Sequence, residues 1–160
     1  MRLRAATFLV FLGLGLLVLV PVRAVAQDDG RYVGLIGIDG VIDRVSAGYL
    51  SRGIRQASEG GAGLVVVTLD TPGGFLSSTR DMVESILSAE IAVAVYVSPP
   101  GARAASAGTF ITAAANFAVM APGTNIGAAS PIAAGGADLP ETLAKKINED
   151  TRAFIRSIAV

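Results

Sequence analysis

The chain has 160 residues, with 13 basic and 13 acidic side chains and neither histidine nor cysteine. That length fits one domain with a real core, although 52% apolar against 16% charged residues is greasy for a soluble one. The missing residue types exclude a disulfide scaffold, a thiolate metal site, a thiol nucleophile and a Ser-His-Asp triad. No basic stripe is present and aromatics are only 6%, so nucleic-acid binding has no electrostatic footprint.

Arg2 and Arg4 open the chain, Ala5 to Val20 is an uncharged apolar run, and Pro21 breaks it. Ala24-Val25-Ala26 then supplies small residues at both positions a signal peptidase reads. This three-part pattern predicts a secretory signal peptide over residues 1–26, with Gln27 as the new N-terminus and an exported domain over 27–160. An uncleaved anchor is the alternative, from a 16-residue run slightly short of the roughly 20 residues a span needs. Cleavage removes Arg2, Arg4 and Arg23, which leaves 10 basic against 13 acidic side chains.

Tyr32 to Ile38 reads as a buried strand ended by Asp39-Gly40. Ser46 to Ser58 has helical spacing, with Tyr49, Leu50, Ile54 and Ala57 on one side and Glu59-Gly60-Gly61 as the stop. Leu64 to Leu69 is a second strand with almost no alternation, the pattern of a strand covered on both faces. The turn Asp70-Thr71-Pro72-Gly73-Gly74 leads into a helix from about Leu76 to Ala89, and Ile91 to Val97 is the third strand. After the Ser98-Pro99-Pro100-Gly101 loop come a small-residue helix from about Ser106 to Ala115 and a short strand, Phe117 to Met120. Ala128 to Gly136 is Gly/Ala/Pro-rich, a composition that predicts a mobile loop, and Pro140 begins a last helix. Alternating strands and helices predict an α/β fold with a largely parallel sheet. Val160 ends the chain in mid-helix without a stop signal, which predicts a C-terminally incomplete domain.

Chemistry can be sought at the carboxyl ends of the parallel strands, where ligands usually bind. The Gly73-Gly74 turn lets backbone N–H groups approach a developing oxyanion, assisted by the following helix N-terminus; the alternative is an ordinary strand-to-helix turn. Ser106 follows the third strand amid Ala104, Ala105, Ala107 and Gly108, open enough for a substrate backbone, with the Ala107 N–H beside it. Its alternative is a helix N-cap serine. A serine nucleophile without histidine needs a lysine base, and the only lysines are Lys145 and Lys146. On the last helix Leu143, Ile147, Thr151, Phe154 and Ile158 form the apolar stripe. Lys146 then lies about 100° from its centre and Lys145 further round. A border position favours Lys146 as the base, because a lysine can accept a proton near neutral pH only where desolvation lowers its pKa; a snorkelling surface lysine is the alternative.

Taken together these residues resemble the ClpP/crotonase superfamily, specifically the protease domain of NfeD-type membrane proteins. The resemblance runs through Val33 to Val41, Leu64 to Gly74, Val93 to Ile111 and Lys146 to Ala159, nearly all of the chain after the signal segment. The Asp-Thr-Pro-Gly-Gly turn paired with Ala-Ser-Ala-Gly is its specific part. The resemblance implies Ser106 as nucleophile, Lys146 as general base, Gly74 and Ala107 as oxyanion-hole donors with Gly73 supporting them, and no metal or cofactor. It also implies a domain outside the cytoplasm, on the periplasmic or extracellular face of the membrane. That domain would be membrane-associated in the full-length form and would cleave apolar segments of membrane-associated proteins, stomatin-like ones among them. Membrane-spanning helices and a small β-barrel would follow, and self-association into a homo-oligomer is common in such domains. Signal peptide peptidase shares the fold and a Ser-Lys pair, but its lysine comes from an earlier part of the chain, where this sequence has none.

Three readings follow. One is an ATP-independent Ser-Lys endopeptidase. Another is a catalytically inactive ClpP-like module that binds peptides or supports assembly. The last, an acyl-CoA enzyme of crotonase type, fits poorly with an export signal and has no need of a Ser-Lys pair.

Overall fold

The computed structural model describes residues 31–129 and 140–158. The expected signal segment and most of the 128–136 loop lie outside the described residues. Four strands form one parallel sheet in chain order: β1 (Val33–Asp39), β2 (Leu64–Asp70), β3 (Val93–Val97) and β5 (Phe117–Met120). A second parallel pair joins β4 (Arg103–Ala105) to β6 (Asn125–Gly127). The helices are α1 (Arg44–Glu59), α2 (Leu76–Leu87), α3 (Ala107–Ala113) and α4 (Glu141–Ile158). No helix among the described residues is long and apolar enough to cross a membrane.

Local chemistry explains the boundaries. The first helix starts two residues before its expected position because Asp43 is its cap and Ser46 stands inside its first turn. The Ser46 N–H donates to Asp43 Oδ1 at 2.8 Å and the Asp43 N–H donates to Ser46 Oγ at 2.9 Å, a reciprocal capping box. At the other end Gly61, at φ +80°, turns the chain out of the helix. The stripe α1 buries is Ala47, Leu50, Ile54 and Ala57. Tyr49, expected on that side, is exposed, because a stripe centred on Ala47 and Leu50 leaves it one residue round.

One core joins Ile36, Ile38, Val65, Val67, Leu69, Val93, Val95 and Val97 of the sheet to α1, Met82, Val83 and Ile86 of α2, and Phe110 and Ile111 of α3. The register sets Ile36 beside Val67 and Val67 beside Val95, so these side chains share one face. The other face carries Leu35, Val66, Ala94 and Phe117, which are partners in adjacent strands. Two expectations are corrected here. The first strand alternates rather than being buried throughout, with Leu35 72% exposed. The second strand is fully buried on one face and half-buried on the other, not covered on both. The helices α1, α2 and α3 stack on a single side, so a continuous apolar run in β2 records a central position rather than two covered faces.

Candidate active site

Two short pairings beyond the main sheet assemble the site. After β2 ends, Thr71 bridges Ala104 of β4: its N–H donates to the Arg103 carbonyl at 2.7 Å, and its own carbonyl accepts from Ala105 at 3.0 Å. On the opposite side Gly74 bridges Ile42, whose N–H bonds the Gly73 carbonyl and whose carbonyl accepts from Phe75, both at 2.9 Å. The 71–74 turn is thus pinned between the segment before α1 and the segment before α3.

The turn's sequence is what permits this approach. A Cβ on Gly74 would overlap the Ile42 carbonyl oxygen. Gly73 sits at φ +112°, and a Cβ there would stand 2.7 Å from Ser106 Cβ and 3.2 Å from its Oγ. Glycine is required at both positions, and the second contact shows how closely the turn meets the serine. The Gly73 N–H is taken by Thr71 Oγ1 at 3.0 Å, so Gly73 contributes conformation rather than a donor. The N–H groups of Gly74 and Ala107 are engaged by no other described residue.

Ser106 occupies the junction of β4 and α3 at φ +50° and ψ −108°. A non-glycine residue rarely adopts such a backbone, and sites hold it only when the surroundings over-determine it. Here the Ser106 N–H donates to the Gly127 carbonyl at 2.7 Å, and Thr109 Oγ1 donates to the same carbonyl at 3.0 Å. Gly108 lets α3 pack close, since a Cβ on it would meet Thr71 Cγ2 at 2.8 Å. Ser106 is half-buried, and its hydroxyl makes no cap bond and has no partner among the described residues. A serine on a strained strand-to-helix turn, its hydroxyl without a partner among the described residues, suits acyl-transfer chemistry.

No contact joins Lys146 to this group among the described residues. It and Lys145 are both exposed, and among the described residues no hydrogen bond or ion pair joins Lys146 to Ser106. The border of the stripe gives it no burial, because the anchors of α4 lie in its second half: Thr151 and Ile158 are buried, whereas Leu143 is 45% exposed. A groove of about 720 Å³ lies elsewhere, between α1 and α2, and none of the candidate residues lines it.

Several positioning residues escaped the sequence reading. Thr71 stood within the quoted turn, but its role as acceptor for Gly73 depends on the fold. Gly127 and Ile42 contribute main-chain carbonyls, which leave no side-chain signature. The strands β4 and β6 are three residues each, too short for a periodic pattern.

The parallel sheet with its second small sheet and stacked helices defines a ClpP-like α/β domain. ClpP1 from Listeria monocytogenes superposes with a TM-score of 0.64 at 19% identity, over 78% of this chain and 71% of that one. The NfeD1b N-terminal domain family matches residues 32–148, and the chain belongs to that family. It is 42% identical over 95 residues to membrane-bound protease PH1510 of Pyrococcus horikoshii, which is 59% of this chain and 22% of the relative. To membrane protein NfeD1b of Bacillus subtilis it is 35% identical over 119 residues, 74% of this chain and 26% of the relative. The matches thus span about a quarter of those relatives' length. Two solved structures of a membrane-bound stomatin-specific protease, 1510-N, also superpose. One is a serine-to-alanine variant, with a TM-score of 0.73 and 36% identity over 81% of this chain and 63% of that one. The other is a lysine-to-alanine variant with a substrate peptide, with a TM-score of 0.71 and 35% identity over 81% and 59%.

Proposed function

We propose that the domain is an extracytoplasmic serine endopeptidase that cleaves apolar segments of membrane-associated proteins, stomatin-like ones among them. Ser106 is the nucleophile and Lys146 the general base. The Gly74 and Ala107 N–H groups hold the oxyanion, with Gly73 shaping the turn. The observation that carries the reading is the Ser106 hydroxyl, without a partner among the described residues and on a strained backbone packed against the Gly73 turn. The relatives add support: the serine and the lysine replaced in the two solved variants keep the chain order and nearly the spacing of Ser106 and Lys146. In the reaction Ser106 Oγ passes its proton to neutral Lys146 Nζ and attacks the peptide carbonyl. Lys146 returns the proton to the leaving amine and then activates the water that hydrolyses the acyl-enzyme. Self-association and export through the 1–26 signal segment belong to the same proposal.

The test is mass spectrometry of the full chain after exposure to a small fluorophosphonate. Labelling at Ser106 that disappears in Lys146→Ala and persists in Lys145→Ala is the expected result. A folded chain that takes no label, yet binds apolar peptides, would make it the non-catalytic module instead.

A further inference from the structure

We propose that Arg80 is a positioning residue for the Ser106–Lys146 pair, fixing the helix that carries Lys146 and holding the Asp150 carboxylate away from that lysine. The inference rests on the Ser-Lys reading above.

Four side chains link the helix of Ser106 to the helix of Lys146. Phe110, one turn into α3 from Ser106, stacks on Phe154 of α4 with centroids 5.2 Å apart and planes at 16°. The Arg80 guanidinium of α2 lies over the same Phe154 ring, 4.4 Å from its centroid. Its Nη2 donates to Asp150 Oδ2 at 2.7 Å. Among the described residues this is the one ion pair that ties α4 to the rest of the molecule. Arg80 and Asp150 side chains are 44% and 63% exposed, so the pair contributes little to stability. Its effect is on orientation: a planar guanidinium faces a ring and bonds a carboxylate with its edge in one fixed geometry, which a flexible ammonium holds less firmly.

Asp150 sits four residues after Lys146, one helical turn away and on the same side. A free carboxylate there would favour the lysine's ammonium form, the wrong form for a base that must accept a proton. In the structure that carboxylate is turned to Arg80. The remaining charged groups on the packed elements leave this role to Arg80. Asp81 and Glu84 of α2 line the groove against α1, and α3 carries no charged residue. On α4, Glu141, Lys145, Glu149, Arg152 and Arg156 are unchanged in every variant below, Glu149 lying three residues after Lys146.

The experiment is turnover of an apolar peptide by the full chain across pH, for wild type, Arg80→Ala, Arg80→Lys and Arg80→Ala with Asp150→Asn. A displaced base typically costs about 100-fold, so Arg80→Ala should lower kcat about 10- to 100-fold with KM within about twofold. Its acidic limb should move to higher pH. Adding Asp150→Asn should return the limb to its wild-type place while kcat stays low, and Arg80→Lys should recover the limb but only part of kcat. A wild-type kcat in Arg80→Ala overturns the inference. So does a loss of kcat with an unmoved limb, which marks a merely structural residue. If Arg80→Ala fails to fold, Arg80→Lys and Asp150→Asn carry the test, and wild-type kcat in both overturns it. Wild type without Ser106-dependent turnover overturns the protease reading itself, and this inference with it. Ser106-dependent turnover that is indifferent to Arg80 overturns only the role of Arg80.

Discussion

Ser106 is held at φ +50° by a hydrogen bond from its N–H to Gly127 and by the packing of Gly73 against its side chain. Strain of that kind costs about 1–3 kcal/mol. Glycine relieves it but loses about 0.5–1 kcal/mol more chain entropy on folding. Ser106→Gly should therefore raise stability by about 1 kcal/mol while abolishing fluorophosphonate labelling, as urea denaturation and mass spectrometry would show. A destabilised variant would mean that the backbone angle is not what the serine's surroundings impose. The candidate serine was legible because small residues crowd around it. The strain was not, since it arises from Gly127, 21 positions along the chain and without a side chain to mark it.

At the level of elements, the capping box of α1 gives a pH-dependent prediction. The Ser46 backbone N–H donates to Asp43 and holds its carboxyl below the ordinary carboxylate range, with the Ser46 hydroxyl assisting and desolvation opposing. A carboxyl depressed in the folded state stabilises the fold above its unfolded value, and the contribution is lost as pH falls through the folded value. Asp43→Asn keeps the acceptor but cannot titrate, so its stability deficit at neutral pH should shrink toward about pH 2. Urea midpoints at the two pH values check this, and a deficit that grows in acid would reverse the sign. The three long strands, α2 and α4 were legible because apolar runs and helical spacing reflect a buried stripe. What burial covers each face was not: the alternation of β1 is weak, Val33 and Leu35 being as apolar as Ile36 and Ile38, and only the one-sided stacking of the helices exposes them. The lysine helix shows the same limit. Its stripe was correct from Thr151 onward, but Leu143 and Lys146 are exposed, ahead of the buried Thr151 and Ile158.

On the scale of the molecule, the open sheet face sets its solution behaviour. Leu35 and Phe117 are 72% and 58% exposed on that face, and exposed apolar surface lowers solubility. Leu35→Lys should change folding stability by less than about 0.5 kcal/mol and raise the concentration at which the chain stays dispersed. Urea denaturation and light scattering test the two halves, and a stability loss of several kcal/mol would show that this face is covered in solution. The order of the main sheet has a consequence of another kind. Each of its strands pairs with the main-sheet strand made before it, so a chain emerging N-terminus first can add them one at a time, while only β4 waits for its partner β6. The serine and the strand that bends it, β6, arrive after β3. The glycine turn is therefore synthesised before the serine it packs against.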